Sequence, residues 1–276
     1  MSGFTLRRPS SLAEVSGRPL AGGTDLVPLL RDRLVDADEL EDVRPLLPRG
    51  IDGSRIGAGT TLAELERSPA VPEALREACR LAASPQLRAM GTMGGNLRQA
   101  TRCWYWRLHF PCYLHGGERC HAREGEHREH AIFGNDRCAS AHPSDPAAAL
   151  LALGATVSTT RRALPLADLY RLPTDEERDV VALAEGELVL ELDVPSPEAS
   201  VYLKAMDRGR FAFPLVGVAA ARFAAGETRL ALAGVAPIPW LLGTPDELDE
   251  ATPLPGTAYK VEIARALVER ALAAIA

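Results

Sequence analysis

Residues 90–145 constrain this chain more than any other stretch. Four of its five cysteines, all six histidines and two of its three tryptophans fall there. Cys103, Cys112, Cys120 and Cys138 are spaced C-x8-C-x7-C-x17-C, with Gly116, Gly117, Gly125 and Gly134 between and around them. Zinc ribbons and fingers usually draw ligands from CxxC pairs, because one tight turn then supplies two of them. No pair here is that close, so each thiolate would come from a separate point of an irregular loop. Such a loop can wrap a bulky cluster, and four thiolates are the usual complement of an iron–sulfur centre. Spacing alone favours the cluster and leaves zinc open. His109, His115, His121, His127 and His130 are further ligand candidates. Four cysteines already complete a cluster, however, so these histidines read as loop-surface groups, as do Arg98, Arg102, Arg107, Arg119, Arg123, Arg128 and Arg137.

Composition narrows the class. With 276 residues, 46% hydrophobic and 25% charged, the chain is long enough for one large or two ordinary globular domains. A net charge of −6 argues against a nucleic-acid groove, which would show as a basic excess. No run of about 18 apolar residues exists, so no membrane span is expected. The opening Met1-Ser2-Gly3-Phe4-Thr5-Leu6-Arg7-Arg8-Pro9 has no apolar segment after its arginines and does not read as an export signal. An odd number of cysteines without a signal makes a disulfide framework improbable, and a cytoplasmic location is expected. Of 31 Lys and Arg residues only Lys204 and Lys260 are lysines, which makes each worth scrutiny.

Along the chain, residues 4–16 predict an extended opening and a brief helix capped by Ser10 or Ser11. Arg18-Pro19-Leu20-Ala21 predicts a short strand running into Gly22-Gly23-Thr24-Asp25, then a helical turn from Leu26. Such a turn aims backbone N–H groups at one spot and suits a pyrophosphate, although alone it is equally a capped turn. It lacks the GxGxxG spacing of nicotinamide enzymes. Residues 55–59 predict a strand, with Thr60 or Thr61 capping the helix that follows. Residues 72–90 fit one helix with a buried face of Leu75, Ala78, Cys79, Ala82 and Ala83, which makes Cys79 a core thiol. Residues 146–154 predict a buried helix and 155–159 a strand. Residues 173–179 form the best linker candidate. Strands at 188–194, 201–206, 214–222 and 228–235, and a final helix at 259–274 with Ile263, Ala266, Leu267 and Leu272 inward, predict an α+β second domain with a mostly antiparallel sheet.

Several ordered motifs then carry a resemblance. Ala21-Gly22-Gly23-Thr24-Asp25-Leu26, the run from Ser84-Pro85-Gln86 to Thr92-Met93-Gly94-Gly95-Asn96-Leu97, Arg102-Cys103-Trp104-Tyr105, His130-Ala131-Ile132-Phe133-Gly134, His142-Pro143-Ser144-Asp145 and Ala233-Gly234-Val235-Ala236-Pro237 span almost the whole chain. Together they resemble the FAD-binding subunit of the xanthine dehydrogenase family of molybdenum hydroxylases. The cysteine insertion resembles the branch of 4-hydroxybenzoyl-CoA reductase and bacterial aldehyde oxidoreductases, whose flavin subunit carries an additional [4Fe-4S] cluster. Leu241 stands where relatives often have arginine, and the helix after Ser11 and the connections near Pro48 are short.

The resemblance implies an α+β fold: a two-lobed FAD-binding domain of the p-cresol methylhydroxylase type, then a smaller α+β C-terminal domain. Residues 1–172 would form the first, with the iron–sulfur insertion at about 98–140, and residues 180–276 the second. It also implies roles. Ala21, Gly22, Gly23, Thr24, Asp25 and Leu26 would hold the FAD pyrophosphate through backbone N–H groups, and Thr92, Gly94, Gly95 and Asn96 would form the opposite wall. Asp145 would hydrogen-bond the flavin side, Lys204 would approach the isoalloxazine ring, and Cys103, Cys112, Cys120 and Cys138 would ligate the cluster. The implied protein is an electron-transfer subunit working with a molybdenum-cofactor large subunit, a [2Fe-2S] small subunit and an external electron acceptor or donor. Its substrate would be an aldehyde, an aromatic acyl-CoA or an N-heterocycle, and a periplasmic site would follow if a partner carried the export signal. The reading from another class is a zinc-stabilised FAD or nucleotide-binding module without redox turnover.

Overall fold

Three sheets organise the chain in the computed structural model, which describes residues 4–276. Residues 1–3, the start of the opening read as lacking a signal, lie outside the described residues. The first sheet is three-stranded and parallel, with Glu39–Asp42 between Thr5–Arg7 and Arg18–Leu20. Glu41 turns its buried carboxylate back to accept the Ser16 and Gly17 N–H groups at 2.8 and 2.9 Å, fixing the approach to the strand Arg18–Leu20. The second sheet is antiparallel in the order Ile51–Asp52, Arg55–Gly57, Val189–Asp193, Thr156–Thr159, Ala163–Pro165. The third is antiparallel in the order Trp240–Leu242, Thr228–Ala233, Val216–Arg222, Ala199–Ala205.

The third sheet is covered on both sides, and its sequence shows why. Val216, Val218, Ala220, Leu230 and Leu232 alternate toward the helix Tyr259–Ile275. Ala219, Ala221, Ala231 and Ala233 face the other way, into the core of the helices Glu73–Leu81 and Asp145–Ala152. Small residues on that side let two helices approach the sheet closely.

Local chemistry explains most elements. Thr61 caps the helix Leu62–Arg67 in a reciprocal capping box: its hydroxyl accepts the Glu64 N–H at 3.2 Å and Glu64 accepts the Thr61 N–H at 2.8 Å. Residues 72–90 do not form one helix. The helix Glu73–Leu81 ends, Ala83 takes a left-handed conformation with φ 50°, and Ser84 caps a second helix, Pro85–Met90. Proline has no N–H to continue the first helix, and its ring is best placed in a first turn. Cys79 is fully buried in the core as expected. The opening helix is a single 3-10 turn, Leu12–Glu14. Glu14 accepts from the Ser10 N–H and hydroxyl, while neither serine side chain caps the turn.

Two differences concern long-range partners. The strand Val189–Asp193, read as part of the second domain's sheet, lies in the middle of the second sheet. Its local pattern specifies a strand, whereas its neighbours are chosen by burial. The polar run 173–179 is no free linker either: Arg178 donates to the carbonyls of Tyr113 and Gly117, and Asp175 accepts from Tyr113 and pairs with Arg137. Among the described residues no helix is long and apolar enough to cross a membrane.

The helix Tyr259–Ile275 buries Lys260, Ala264, Leu267, Val268, Ala271 and Ile275, so Ala266 of the expected face is exposed instead. Lys260 is wholly buried and donates to the carbonyls of Glu129 (2.7 Å) and Gly234 (2.9 Å). Burial lowers its pKa to about 7, against the pull of Glu129. A neutral amine has two N–H donors, and two carbonyls receive them. An unfolded lysine with the ordinary value of 10.5 binds more protons than the folded one between pH 7 and 10.5, so stability should rise with pH across that window. Lys260→Met should flatten this slope in urea unfolding measured from pH 6 to 10; an unaltered slope would place the titration elsewhere.

Candidate cofactor cleft and cysteine centre

The strand Arg18–Leu20 ends in Ala21-Gly22-Gly23, and the helix Leu26–Arg31 begins at once. Gly23 has φ +70°, a left-handed conformation that glycine adopts freely. A Cβ on Gly22 would lie 2.0 Å from the Met90 carbonyl oxygen, so the loop passes directly over the end of the helix Pro85–Met90. The N–H groups of Gly22, Gly23, Thr24 and Asp25 find no acceptor among the described residues. Successive unpaired N–H groups in a tight turn form a concavity for an anion.

Opposite stands the helix Met93–Leu97, capped by Thr92, whose hydroxyl accepts the Gly95 N–H at 3.2 Å. Gly94 donates to the Ala58 carbonyl at 2.9 Å, and a Cβ there would meet the Ala58 Cβ at 2.9 Å. These glycines therefore shape the wall by close packing, because their N–H groups are already used. Between the walls lies a cleft of about 290 Å³, lined by residues 21–26, Thr92, Gly94 and Gly95 among others. Asn96 is not part of that lining; its side chain accepts from the Ser144 hydroxyl.

Asp25 shows what the cleft is attached to. Its carboxylate accepts the Ala100 N–H at 2.8 Å and pairs with Arg102 at 2.8 Å and Arg107 at 3.2 Å. Both arginines flank Cys103, so the glycine loop is fastened to the cysteine insertion. Sequence reasoning had these arginines as surface groups. The legible signal was a single acid in a glycine turn, with no hint of which distant base it meets.

Asp145 and Lys204 form a buried ion pair at 2.9 Å and line neither this cleft nor a second cavity of about 280 Å³ beside Cys103. The Tyr202 hydroxyl also donates to Asp145 at 2.5 Å, in space left by Gly217. Lys204 further donates to the carbonyls of Leu81 and Ala212 at 3.1 and 2.8 Å. Burial raises the Asp145 carboxyl above the ordinary carboxylate range, with Lys204 and Tyr202 opposing. Ala212 lines the second cavity, and two buried imidazoles line it as well, His130 and His142. Burial lowers them to about 4 and about 3, so both are neutral at pH 7. The His130 Nδ1 and His142 Nε2 atoms have no partner among the described residues.

The insertion holds little regular structure, apart from the helix Trp104–Arg107 and two 3-10 turns. An aromatic knot of Trp104, Tyr105, Phe110, His121 and His130 stiffens it. The four cysteines form no disulfide, and Cys120 and Cys138 titrate against each other: the Cys138 side chain lowers the Cys120 thiol to about 5, and Cys120 together with burial raises Cys138. Backbone reaches one of these sulfurs, the Ala139 N–H donating to Cys120 at 3.4 Å, and the Cys138 thiol donates to the Ser140 hydroxyl at 3.3 Å. A donor aimed at sulfur favours thiolate over thiol, whereas burial raises the Cys103 thiol to about 11 and raises Cys112 as well. Cys79 receives none among the described residues, and burial, with the Glu66 and Asp145 charges adding to it, pushes its thiol far up. His130 places Nε2 3.2 Å from the Cys103 sulfur, a contact the sequence did not disclose. No three His, Cys, Asp or Glu side chains among the described residues are gathered tightly enough to hold a single metal ion.

The family described as "FAD binding domain in molybdopterin dehydrogenase" matches residues 8–197. The chain belongs to that family. This FAD-binding subunit of the molybdenum hydroxylase class is 36% identical to the aldehyde oxidoreductase FAD-binding subunit PaoB of Escherichia coli (strain K12), over 89% of this chain and 86% of that one. It is 37% identical to the carbon monoxide dehydrogenase medium chain of Afipia carboxidovorans across 34% of its own length and 38% of that chain. Its fold matches a chain of the reconstituted CO dehydrogenase from Oligotropha carboxidovorans with a TM-score of 0.68 at 23% identity, covering 99% of this chain and 97% of that chain. The FAD-binding subunit is thus an oxidoreductase component with the expected α+β FAD-domain architecture.

Two outcomes test the geometry. Gly22→Ala should lower the flavin released on denaturation at least about tenfold, since the Met90 carbonyl leaves no room for a methyl; full flavin content would show that the loop tolerates the shift. Lys204→Met should cost on the order of 3–5 kcal/mol in urea unfolding by leaving Asp145 buried without its cation, and adding Asp145→Asn should recover most of it. Additive losses would mean that the pair is not coupled.

Proposed function

We propose that this FAD-binding subunit is the electron-transfer component of a heterotrimeric molybdenum hydroxylase, carrying FAD in the glycine cleft and a [4Fe-4S] cluster on Cys103, Cys112, Cys120 and Cys138. The observation that carries this reading is the tie between the two sites. Asp25, inside the cleft, is held by Arg102 and Arg107, which flank the first cysteine of the centre. Two redox sites that exchange electrons must be close and rigidly spaced, and this ion-pair cluster supplies both.

The residues present fit both groups. Unpaired amides at Gly22, Gly23, Thr24 and Asp25 suit a diphosphate, and four free cysteines on one loop-rich insertion, with the Cys120 thiol already lowered beside Cys138, suit a thiolate-ligated cluster. Bound FAD takes electrons singly and yields them in pairs, and a [4Fe-4S] cluster passes them one at a time. The chain's own work is positional. Its glycines let backbone approach the cofactor, the Thr92 cap holds the facing helix, and the aromatic knot around Tyr105 stiffens the insertion. Lys204, buried against Asp145, donates to the carbonyl of Ala212 and so braces one residue of the second cavity's lining. A molybdenum-cofactor subunit and a [2Fe-2S] subunit would complete the complex, and the likeness to PaoB favours an aldehyde as substrate.

Iron and sulfide analysis with low-temperature EPR tests the cluster. Each of Cys103→Ser, Cys112→Ser, Cys120→Ser and Cys138→Ser should lose or degrade the signal, while Cys79→Ser keeps it and costs about 1–3 kcal/mol of stability. Zinc without iron in the pure protein, or full iron in Cys112→Ser, would overturn the assignment.

A further inference from the structure

The charged residues of the cleft do not balance. Five of them line it: Arg18, Asp25, Arg98, Asp179 and Glu187. Two of the three acids are paired with bases within the chain. Asp25 is held by Arg102 and Arg107, and Glu187 accepts from Arg162, Thr159 and the Ala184 N–H. Asp179 accepts the Val181 N–H at 3.0 Å. The two bases of the lining are unpaired: neither the Arg18 nor the Arg98 guanidinium has an acceptor or an ion-pair partner among the described residues. They also stand near enough to repel. Burial lowers Arg98, Asp179 opposes that at a distance, and the Arg18 charge adds to it. Both residues remain open to solvent inside the cleft, so a ligand can reach them.

Among the described residues, two guanidiniums without a partner against one carboxylate without a cation, Asp179, leave the cleft a positive lining beside unused amides, and that lining suits an anion. The only ionised groups of FAD are the two phosphates of its diphosphate. We propose that Arg98 and Arg18 are side-chain counter-charges for the FAD diphosphate, adding a charge-assisted clamp to the backbone amides of the glycine loop. The inference rests on the FAD reading and assigns these arginines a role in selecting a diphosphate-bearing flavin. Guanidinium forks match phosphate oxygens bidentately, and such contacts are stronger than neutral ones.

The test uses flavin-depleted full chain, titrated with FAD and with riboflavin by tryptophan fluorescence at several salt concentrations. Arg98→Gln and Arg18→Gln should each weaken FAD about tenfold or more, flatten the salt dependence, and leave the weaker riboflavin affinity unaltered. Arg98→Lys should keep most of the FAD affinity. Their flavin-free melting temperatures should match the wild type, because neither guanidinium holds a partner in the chain. FAD affinity within threefold of wild type in both glutamine variants, or an equal loss of riboflavin, would overturn the clamp while leaving the FAD reading intact. Wild-type protein that binds no FAD would sink both. If Arg98→Gln does not fold, Arg18→Gln and the wild-type salt dependence decide: a salt-independent wild-type FAD affinity overturns the clamp.

Discussion

The carboxylate of Asp25 is the joint on which the functional architecture depends. An acid at the end of a glycine turn would ordinarily cap its own helix, yet here it reaches across to Ala100, Arg102 and Arg107. That choice leaves the turn's own N–H groups free and fastens the least regular part of the chain to its most regular lobe. An insertion rich in loops has little core of its own, so its position has to come from such ties. Arg178 supplies another on the far side, stacking on Tyr113 and donating to its carbonyl.

Burying charge is costly unless each charge is matched, and the structure handles its buried lysines in two ways. Lys204 meets a carboxylate, a phenol stands beside them, and Gly217 gives up its side chain to make the space. Lys260 meets only carbonyls, from the end of the cysteine insertion and from Gly234, and its proton becomes easy to lose. Arginine cannot play the second part, because it does not shed its proton in proteins. The scarcity of lysine in the sequence thus has a structural counterpart: both are interior residues, each bridging segments far apart in the chain.

How far the sequence could be read depended on the range of the interactions. Gly22, Gly23 and the Thr61 cap are local features, and they are where pattern and spacing put them. The four cysteines are also local enough to be grouped, and Cys79 lies apart from them on the buried face of the helix Glu73–Leu81. What was not legible is partner choice across long separations: the sheet that Val189–Asp193 joins, the arginines that Asp25 meets, and the placing of Lys260 in an apolar seam. The break at Ala83 is a different case. Ser84-Pro85 announces a new helix start, and the apolar stripe running through it concealed that signal.

The alanine face of the third sheet has a mechanical consequence. Ala219, Ala221, Ala231 and Ala233 meet helices of the first lobe in the same core that holds Leu65, Leu75 and Leu150. A junction between separable modules is usually smaller and more polar than an interior. This one is an interior, so the chain has no swivel at which its two halves could part and rejoin. The helix Met93–Leu97 buries Met93 and Leu97 in that same core, so this wall of the cleft keeps a fixed relation to the third sheet.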